Sequence, residues 1–206
     1  MVMQSSMDGV ASKPRAGRPL VLSLPNVLTY LRILAVPAVV ACLFGNATHT
    51  MRWVALAIYV AACITDWLDG FLARVWHQQS ELGRMLDPIA DKLLVGATLM
   101  VLINDRTISG YGLWAAVIIL CREILVSGLR EFLAELNVKI SVSQLAKWKT
   151  TLQMIALGVL IAGPAGDMLI ARTSEIGLML LWLAAGLTLF TGYDYLKAAV
   201  RHAIEG

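Results

Sequence analysis

Six long apolar segments, separated by shorter polar connections, limit the folds that this chain can adopt. They cover approximately residues 27–45, 51–74, 87–103, 112–132, 145–162 and 176–196. Each is close to the ~20 residues that an α-helix needs to cross the hydrocarbon core of a bilayer. A spanning segment must pair its backbone polar groups internally, which favours helices over open sheets. The pattern therefore predicts an all-α integral membrane protein with six transmembrane helices.

The composition agrees with a membrane location and with one compact unit. Of the 206 residues, 58% are hydrophobic, whereas soluble domains are typically about 45–50% apolar. Residues 1–19 are polar and lack the apolar core of a signal peptide, so they are predicted to form a disordered cytosolic tail. Residues 20–206 are predicted to form a single six-helix domain. A net charge of only +3 gives no indication of nucleic-acid binding.

Basic residues are distributed unevenly over the connections, which predicts the orientation of the chain. With the N-terminus inside, the outer turns carry only Arg52, Arg106 and Arg172. The inner side carries a larger basic set: Lys13, Arg15, Arg18, Arg74, Arg84, Lys139, Lys147, Lys149, Lys197 and Arg201. By the positive-inside rule, both termini are cytosolic in this multi-pass protein.

Four carboxylates fall within the apolar region, at Asp66, Asp69, Asp87 and Asp91. Acidic groups are costly in a membrane and therefore indicate function. Helical spacing places the first two on one face, while Gly83, Asp87 and Asp91 recur every four residues on another. The connection between these helices is short, which predicts antiparallel neighbours with facing carboxylates. Such oxygen ligands suit two Mg²⁺ or Mn²⁺ ions near the cytosolic side.

The acidic stretch resembles the signature of the CDP-alcohol phosphotransferases. The matching residues are Asp66, Asp69, Gly70, Ala73, Arg74, Gly83, Asp87 and Asp91. The resemblance implies a six-helix membrane enzyme, usually a homodimer, that transfers a phosphatidyl or similar group from a CDP-linked donor to an alcohol and releases CMP. It also implies that Asp66, Asp69 and Asp87 hold metal, and that Asp91 completes the metal site and acts as the catalytic base.

The same resemblance assigns residues to the CDP-linked donor. They comprise Asp69, Gly70, Ala73, Arg74 and Gly83, with Thr29 and Arg32 of the first helix nearby. Arg32 has two interpretations. It could snorkel to the membrane interface from its position about one turn into the first span, or it could bind a substrate phosphate.

Basic residues on the fourth and fifth helices are candidates for binding a phosphate on the acceptor, since Arg and Lys donate to phosphate oxygens. They are Arg122, Arg130, Lys147 and Lys149. Two other interpretations remain open: an internal ion pair between Arg122 and Glu123, and a belt of snorkelling side chains formed by Arg130, Lys147 and Lys149.

The surrounding residues resemble the phosphatidylglycerophosphate synthase branch of the family. The matching segments are residues 24–32, 87–92, 122–131 and 147–153. This branch implies CDP-diacylglycerol and sn-glycerol 3-phosphate as substrates, membrane lipids as surroundings, and the bacterial inner membrane as location. The alternatives are another acceptor (inositol phosphate, serine or phosphatidylglycerol), a divalent-cation carrier, or a structural membrane protein.

Overall fold

A computed structural model describes residues 24–45, 47–75, 81–135 and 144–205. Its six helices are α1 (Leu24–Leu43), α2 (His49–Val75), α3 (Glu81–Asn104), α4 (Gly112–Glu135), α5 (Gln144–Gly166) and α6 (Thr173–Glu205). Within these ranges the regular secondary structure is entirely helical, which confirms the predicted all-α class. The predicted tail, residues 1–19, lies outside the described residues.

Four of the helices, α1, α2, α4 and α6, are long and apolar enough to cross a membrane. Their apolar windows are Asn26–Leu43, His49–Leu68, Gly112–Leu133 and Thr173–Tyr193. Helices α3 and α5 carry charged side chains in their first halves, including Asp87 and Asp91 on α3 and Lys149 on α5. By length and composition the protein is therefore a membrane protein.

Helix α1 organises the packing at one side of the bundle. It packs extensively on both α2 and α3, whereas α2 and α3 contact each other marginally at most within the described residues. The prediction that α2 and α3 are direct antiparallel neighbours is therefore wrong. Both helices pack on α1, and Arg32 of α1 contacts a carboxylate from each of them. Helix α2 also packs on α5, α5 packs on α6, and α6 packs on α4.

Several helix boundaries differ from their predicted positions, and the largest difference at a helix end is that of α6, which reaches Glu205 rather than about residue 196. Helix α3 begins at Glu81 and contains Pro88, although the sequence predicted a start near Asp87. A proline removes a single intrahelical hydrogen bond, and the continuous helix keeps Gly83, Asp87 and Asp91 on one face. Helix α5 is kinked at Gly163, where φ is 38° and ψ is −122°. A positive φ is accessible to glycine because it has no Cβ.

The short connection between α5 and α6 is closed by Asp167. The backbone N–H of Ser174 donates to Asp167 Oδ1 at 3.1 Å, and its hydroxyl donates to Oδ2 at 2.9 Å. These two bonds hold the pKa of Asp167 below its ordinary value. They also satisfy one of the backbone N–H groups that a helix start leaves without a partner.

Arg52 lies at the opposite end of the bundle from the acidic stretch and holds three elements together. The sequence placed it on an outer turn, but it is 5% exposed. Its guanidinium donates to Asp105 Oδ2 at 2.5 Å, to Thr107 Oγ1 at 3.0 Å and to the carbonyl of Ile161 at 3.2 Å. The start of α2 is therefore tied to the α3–α4 connection and to the end of α5.

Replacing Arg52 with methionine is expected to destabilise the protein by about 3 kcal/mol or more, since removing one partner strands a buried charge. The stranded group is Asp105, whose side chain is 3% exposed. Thermal unfolding in detergent measures the effect. Arg172→Met is the matched control, because the Arg172–Glu175 pair is 77% and 67% exposed. Equal unfolding temperatures for the two variants would contradict a stabilising role for Arg52.

Candidate functional site

The predicted site residues lie near the start of one helix and near the end of the next. Because successive helices run in opposite directions, these residues meet at one end of the bundle. Residues near the start of α1 contact the last third of α2 and the first half of α3. The second half of α4 contacts the middle of α3, the first third of α5 and the second half of α6. Arg52 and its partners Asp105 and Thr107 lie at the other end of the bundle. The predicted donor-binding and acceptor-binding residues are therefore at the same end.

Arg32 lies between two of the predicted carboxylates. Its Nη1 atom is 2.8 Å from Asp66 Oδ1 and 3.0 Å from Asp91 Oδ1. The side chain of Arg32 is fully buried, whereas those of Asp66 and Asp91 are 37% and 40% exposed. The snorkelling interpretation of Arg32 is therefore wrong. Its charge stabilises two carboxylates that would otherwise repel each other.

Thr29 brings the third carboxylate to the same face of α1. Its hydroxyl donates to Asp87 Oδ1 at 2.6 Å, and Thr29 is three residues before Arg32 and therefore on the same face. Asp87 also lies within electrostatic range of Asp66. The convergence that was predicted for Asp66, Asp87 and Asp91 is thus present, and α1 provides the surface on which it occurs.

The chemistry of these carboxylates fits a hard divalent cation. Asp66, Asp87 and Asp91 offer oxygen donors of the kind that Mg²⁺ and Mn²⁺ prefer. Within the ranges that the structure describes, no three His, Cys, Asp or Glu side chains are arranged as a metal-binding group. The fourth predicted ligand, Asp69, has its side chain outside the described part. The metal site therefore stays a prediction.

The predicted donor-binding residues of α2 lie on its last turns. The helix continues to Val75, but the side chains of Asp69, Ala73 and Arg74, and the surroundings of Gly70, are outside the described residues. Gly83 is buried on α3, in keeping with a position where a larger side chain would take up space. The assignment of these residues to the donor stays a prediction, as does that of Thr29 and Arg32.

A second cluster is centred on Glu123 of α4. Its Oε1 atom accepts from Arg122 Nη1 at 3.3 Å and from the ammonium of Lys149 on α5. Arg122 also donates to Thr191 Oγ1 on α6 at 3.1 Å. The interpretation of Arg122 and Glu123 as an internal ion pair is therefore confirmed, and the pair extends to a third charged residue.

The other predicted acceptor-binding residues differ in their exposure. Lys149 is 3% exposed, so the snorkelling interpretation is wrong for this residue. Arg130 is exposed and lies within electrostatic range of Lys149. The side chain of Lys147 lies outside the described residues. Three of the four predicted residues, Arg122, Arg130 and Lys149, therefore surround one region of the bundle.

One side-chain contact links α3, which carries Asp87 and Asp91, to α4, which carries Arg122 and Glu123. Lys92, the residue after Asp91, donates to Ser127 Oγ, and Ser127 lies one helical turn beyond Glu123. No site role was predicted for Lys92, Glu123 or Thr191. Signals for the first two were present, because Lys92 directly follows a site carboxylate and Glu123 shares a helix face with Ser127. No sequence signal singled out Thr191.

The chain is similar to known proteins over most of its length. The sequence model of the CDP-alcohol phosphatidyltransferase family matches residues 22–190. A Rickettsia bellii protein named CDP-diacylglycerol–glycerol-3-phosphate 3-phosphatidyltransferase is 43% identical over 180 residues, covering 87% of this chain and 97% of the relative. A Cereibacter sphaeroides protein with the same name is 37% identical over 211 residues, covering 86% and 96%.

A relative with a different name matches the chain over a similar length. A rice protein named cardiolipin synthase (CMP-forming) is 36% identical over 217 residues, covering 95% of this chain and 64% of the relative. The relatives thus differ in the reaction that they are named for.

Proposed function

Because the chain belongs to the CDP-alcohol phosphatidyltransferase family, we propose that it transfers the phosphatidyl group of CDP-diacylglycerol to sn-glycerol 3-phosphate. The products are phosphatidylglycerol phosphate and CMP, and the reaction belongs to phospholipid biosynthesis. The observation that carries the choice of acceptor is the position of the basic cluster. Arg122, Lys149 and Arg130 lie close to one another on helices linked to the acidic one through Lys92 and Ser127, and they would bind a phosphate group on the alcohol.

The reaction is a direct displacement at phosphorus. Asp91 accepts the proton of the 1-hydroxyl group of glycerol 3-phosphate, and the hydroxyl oxygen forms a bond to the phosphorus on the lipid side of the pyrophosphate. The bond between that phosphorus and the bridging oxygen breaks, and CMP leaves with the electron pair. A carboxylate close to the reacting hydroxyl is suited to this role as a general base.

The acidic cluster would hold the metal ions that the family chemistry implies. Asp66, Asp69, Asp87 and Asp91 would bind Mg²⁺ or Mn²⁺, in two positions. When bound, the ions would neutralise charge on the pyrophosphate and on the leaving CMP. The hard oxygen donors of the described carboxylates support this assignment.

The donor would lie along the last turns of α2. Asp69, Gly70, Ala73 and Arg74 would face the cytidine phosphate, Gly83 would leave room for the nucleotide, and Thr29 and Arg32 would contribute from α1. The partial exposure of Asp66 and Asp91 supports access for a nucleotide head group from the aqueous side.

The membrane arrangement is part of the same proposal. All six helices cross the bacterial inner membrane, residues 20–206 form one catalytic domain, and both termini are cytosolic. The lengths of α3 and α5, at 24 and 23 residues, support two further spans beside the four apolar helices. The enzyme would act as a homodimer among membrane lipids.

A different acceptor is the second candidate. The rice relative is named for cardiolipin synthesis, a reaction in which phosphatidylglycerol would replace glycerol 3-phosphate. Both acceptors carry phosphate, but the phosphate of phosphatidylglycerol is a diester with a single negative charge. A cluster with several cations therefore favours the phosphate monoester.

A panel of acceptors tests the proposal. Purified protein in detergent receives CDP-diacylglycerol, Mg²⁺ or Mn²⁺, and one acceptor at a time: glycerol 3-phosphate, inositol phosphate, serine or phosphatidylglycerol. CMP release is expected with glycerol 3-phosphate alone. Release with another acceptor instead would keep the chemistry and overturn the acceptor, whereas no release with any of them would contradict the proposed activity.

A further inference from the structure

We infer that Glu123 is a positioning residue for the acceptor: its carboxylate fixes Arg122 and Lys149 in the arrangement that receives the acceptor phosphate. The inference rests on the proposed function and extends it to a residue that need not touch the substrate. Glu123 is acidic, so a direct role in binding an anion is excluded by charge. Its effect on phosphate binding would therefore pass through the two cations that it contacts.

The geometry gives Glu123 control over two helices at once. A single oxygen atom, Oε1, accepts from Arg122 on its own helix and from Lys149 on α5. Two cations held this closely would repel each other without an anion between them. The carboxylate removes that repulsion and sets the distance between the guanidinium and the ammonium groups.

The two cations differ in how firmly other groups hold them. Arg122 donates to Thr191 on α6 and lies against Gly192, where an added Cβ would be 3.3 Å from Arg122 Cγ. Lys149 is 3% exposed, and Glu123 is the partner that the described residues provide for its ammonium. Buried lysines depend on such a partner to remain charged in place. Loss of Glu123 would therefore displace Lys149 more than Arg122.

The charge balance of the cluster also matches the acceptor. One carboxylate against the two cations leaves a net charge of about +1, and nearby Arg130 raises it to about +2. A phosphate monoester carries about −1.5 to −2 at neutral pH. Glu123 thus leaves enough positive charge to bind one phosphate group without accumulating three uncompensated cations.

The test is Glu123→Gln, which keeps the size of the side chain and removes its charge. CMP release is measured against glycerol 3-phosphate at saturating CDP-diacylglycerol, and then with the substrates exchanged. The KM for glycerol 3-phosphate is expected to rise about tenfold or more, the loss of one charge-assisted hydrogen bond. The KM for CDP-diacylglycerol and kcat should stay within about threefold of the wild-type values, because the proposal gives Glu123 no contact with the donor or with the reacting atoms.

Glu175→Gln is the matched control, because Glu175 is 67% exposed at the start of α6, away from the Arg122–Lys149 cluster, and should leave both KM values unchanged. An unchanged or lower KM for glycerol 3-phosphate in Glu123→Gln would overturn the inference. A lower kcat with equal rises in both KM values and a lowered unfolding temperature would also overturn it, since that pattern indicates a structural role alone.

Lys149 provides a second variant that keeps the inference falsifiable if Glu123→Gln is poorly stable. If Glu123 acts through Lys149, then adding Glu123→Gln to Lys149→Met should raise the KM for glycerol 3-phosphate by less than it does in the wild-type background. Fully additive effects would contradict the inference. Failure of the wild-type protein to use glycerol 3-phosphate would instead identify the proposed function as the error.

Discussion

Replacing Asp91 with asparagine is expected to lower CMP release from CDP-diacylglycerol and glycerol 3-phosphate by roughly 100-fold or more, the range typical of losing a general base. Asparagine keeps the size of the side chain but cannot take up the proton of the acceptor hydroxyl. It also removes a negative charge from the predicted metal site. Initial rates of CMP release at saturating substrates measure the loss in kcat.

The control for Asp91→Asn is Asp167→Asn, the same substitution in the exposed α5–α6 connection. Asparagine also caps helix starts well, so this variant should keep full activity. Unfolding temperatures of both variants separate a catalytic effect from a loss of fold. The loss of a general base would lower the rate by more than about tenfold, which corresponds to about 1.36 kcal/mol. A rate for Asp91→Asn within about twofold of the wild-type rate would therefore show that another group accepts the proton.

Replacing Arg32 with methionine is expected to lower kcat/KM by roughly 100-fold, the effect of removing one group that stabilises developing charge. Arg32 is buried and contacts Asp66 and Asp91 through one nitrogen atom. Methionine fills a similar space but leaves the two carboxylates facing each other without a cation. The same substitution removes a predicted contact to the donor phosphate, so the KM for CDP-diacylglycerol should rise as well.

Arg32→Lys separates the charge of Arg32 from its shape. The contacts of Arg32 with Asp66 and Asp91 both use Nη1, so a single ammonium group could replace these two if the lysine side chain reaches far enough. Lysine lacks the remaining donors of the guanidinium group. It should therefore retain more activity than methionine and less than arginine. Equal activity in the methionine and wild-type proteins would exclude Arg32 from the site.

The sequence was sufficient to predict the acidic cluster because helical spacing and apolar context each constrained it independently. Asp87 and Asp91 had to share a face of any continuous helix, and their position in an apolar segment indicated function. The prediction failed where it required knowledge of which helix packs on which. A short connection suggested that α2 and α3 are direct neighbours, whereas both pack mainly on α1, whose Arg32 contacts Asp66 and Asp91.

Charged residues near helix ends were the least predictable part of the chain. Arg52 and Lys149 have the sequence context of interfacial side chains, yet each is nearly fully buried. Their burial depends on anions from distant segments, Asp105 and Glu123 respectively. A hydropathy pattern records only local composition, so it cannot distinguish a snorkelling cation from one that a distant carboxylate holds inside the bundle.

The most direct test of the proposed transfer follows the acceptor into the lipid product. Purified protein receives CDP-diacylglycerol and glycerol 3-phosphate labelled in its glycerol carbons, and the lipid-soluble label is measured together with the CMP released. The expected result is one labelled lipid, phosphatidylglycerol phosphate, formed in a one-to-one ratio with CMP. CMP release without label in the lipid fraction would show that glycerol 3-phosphate is not the acceptor, and would contradict the proposal.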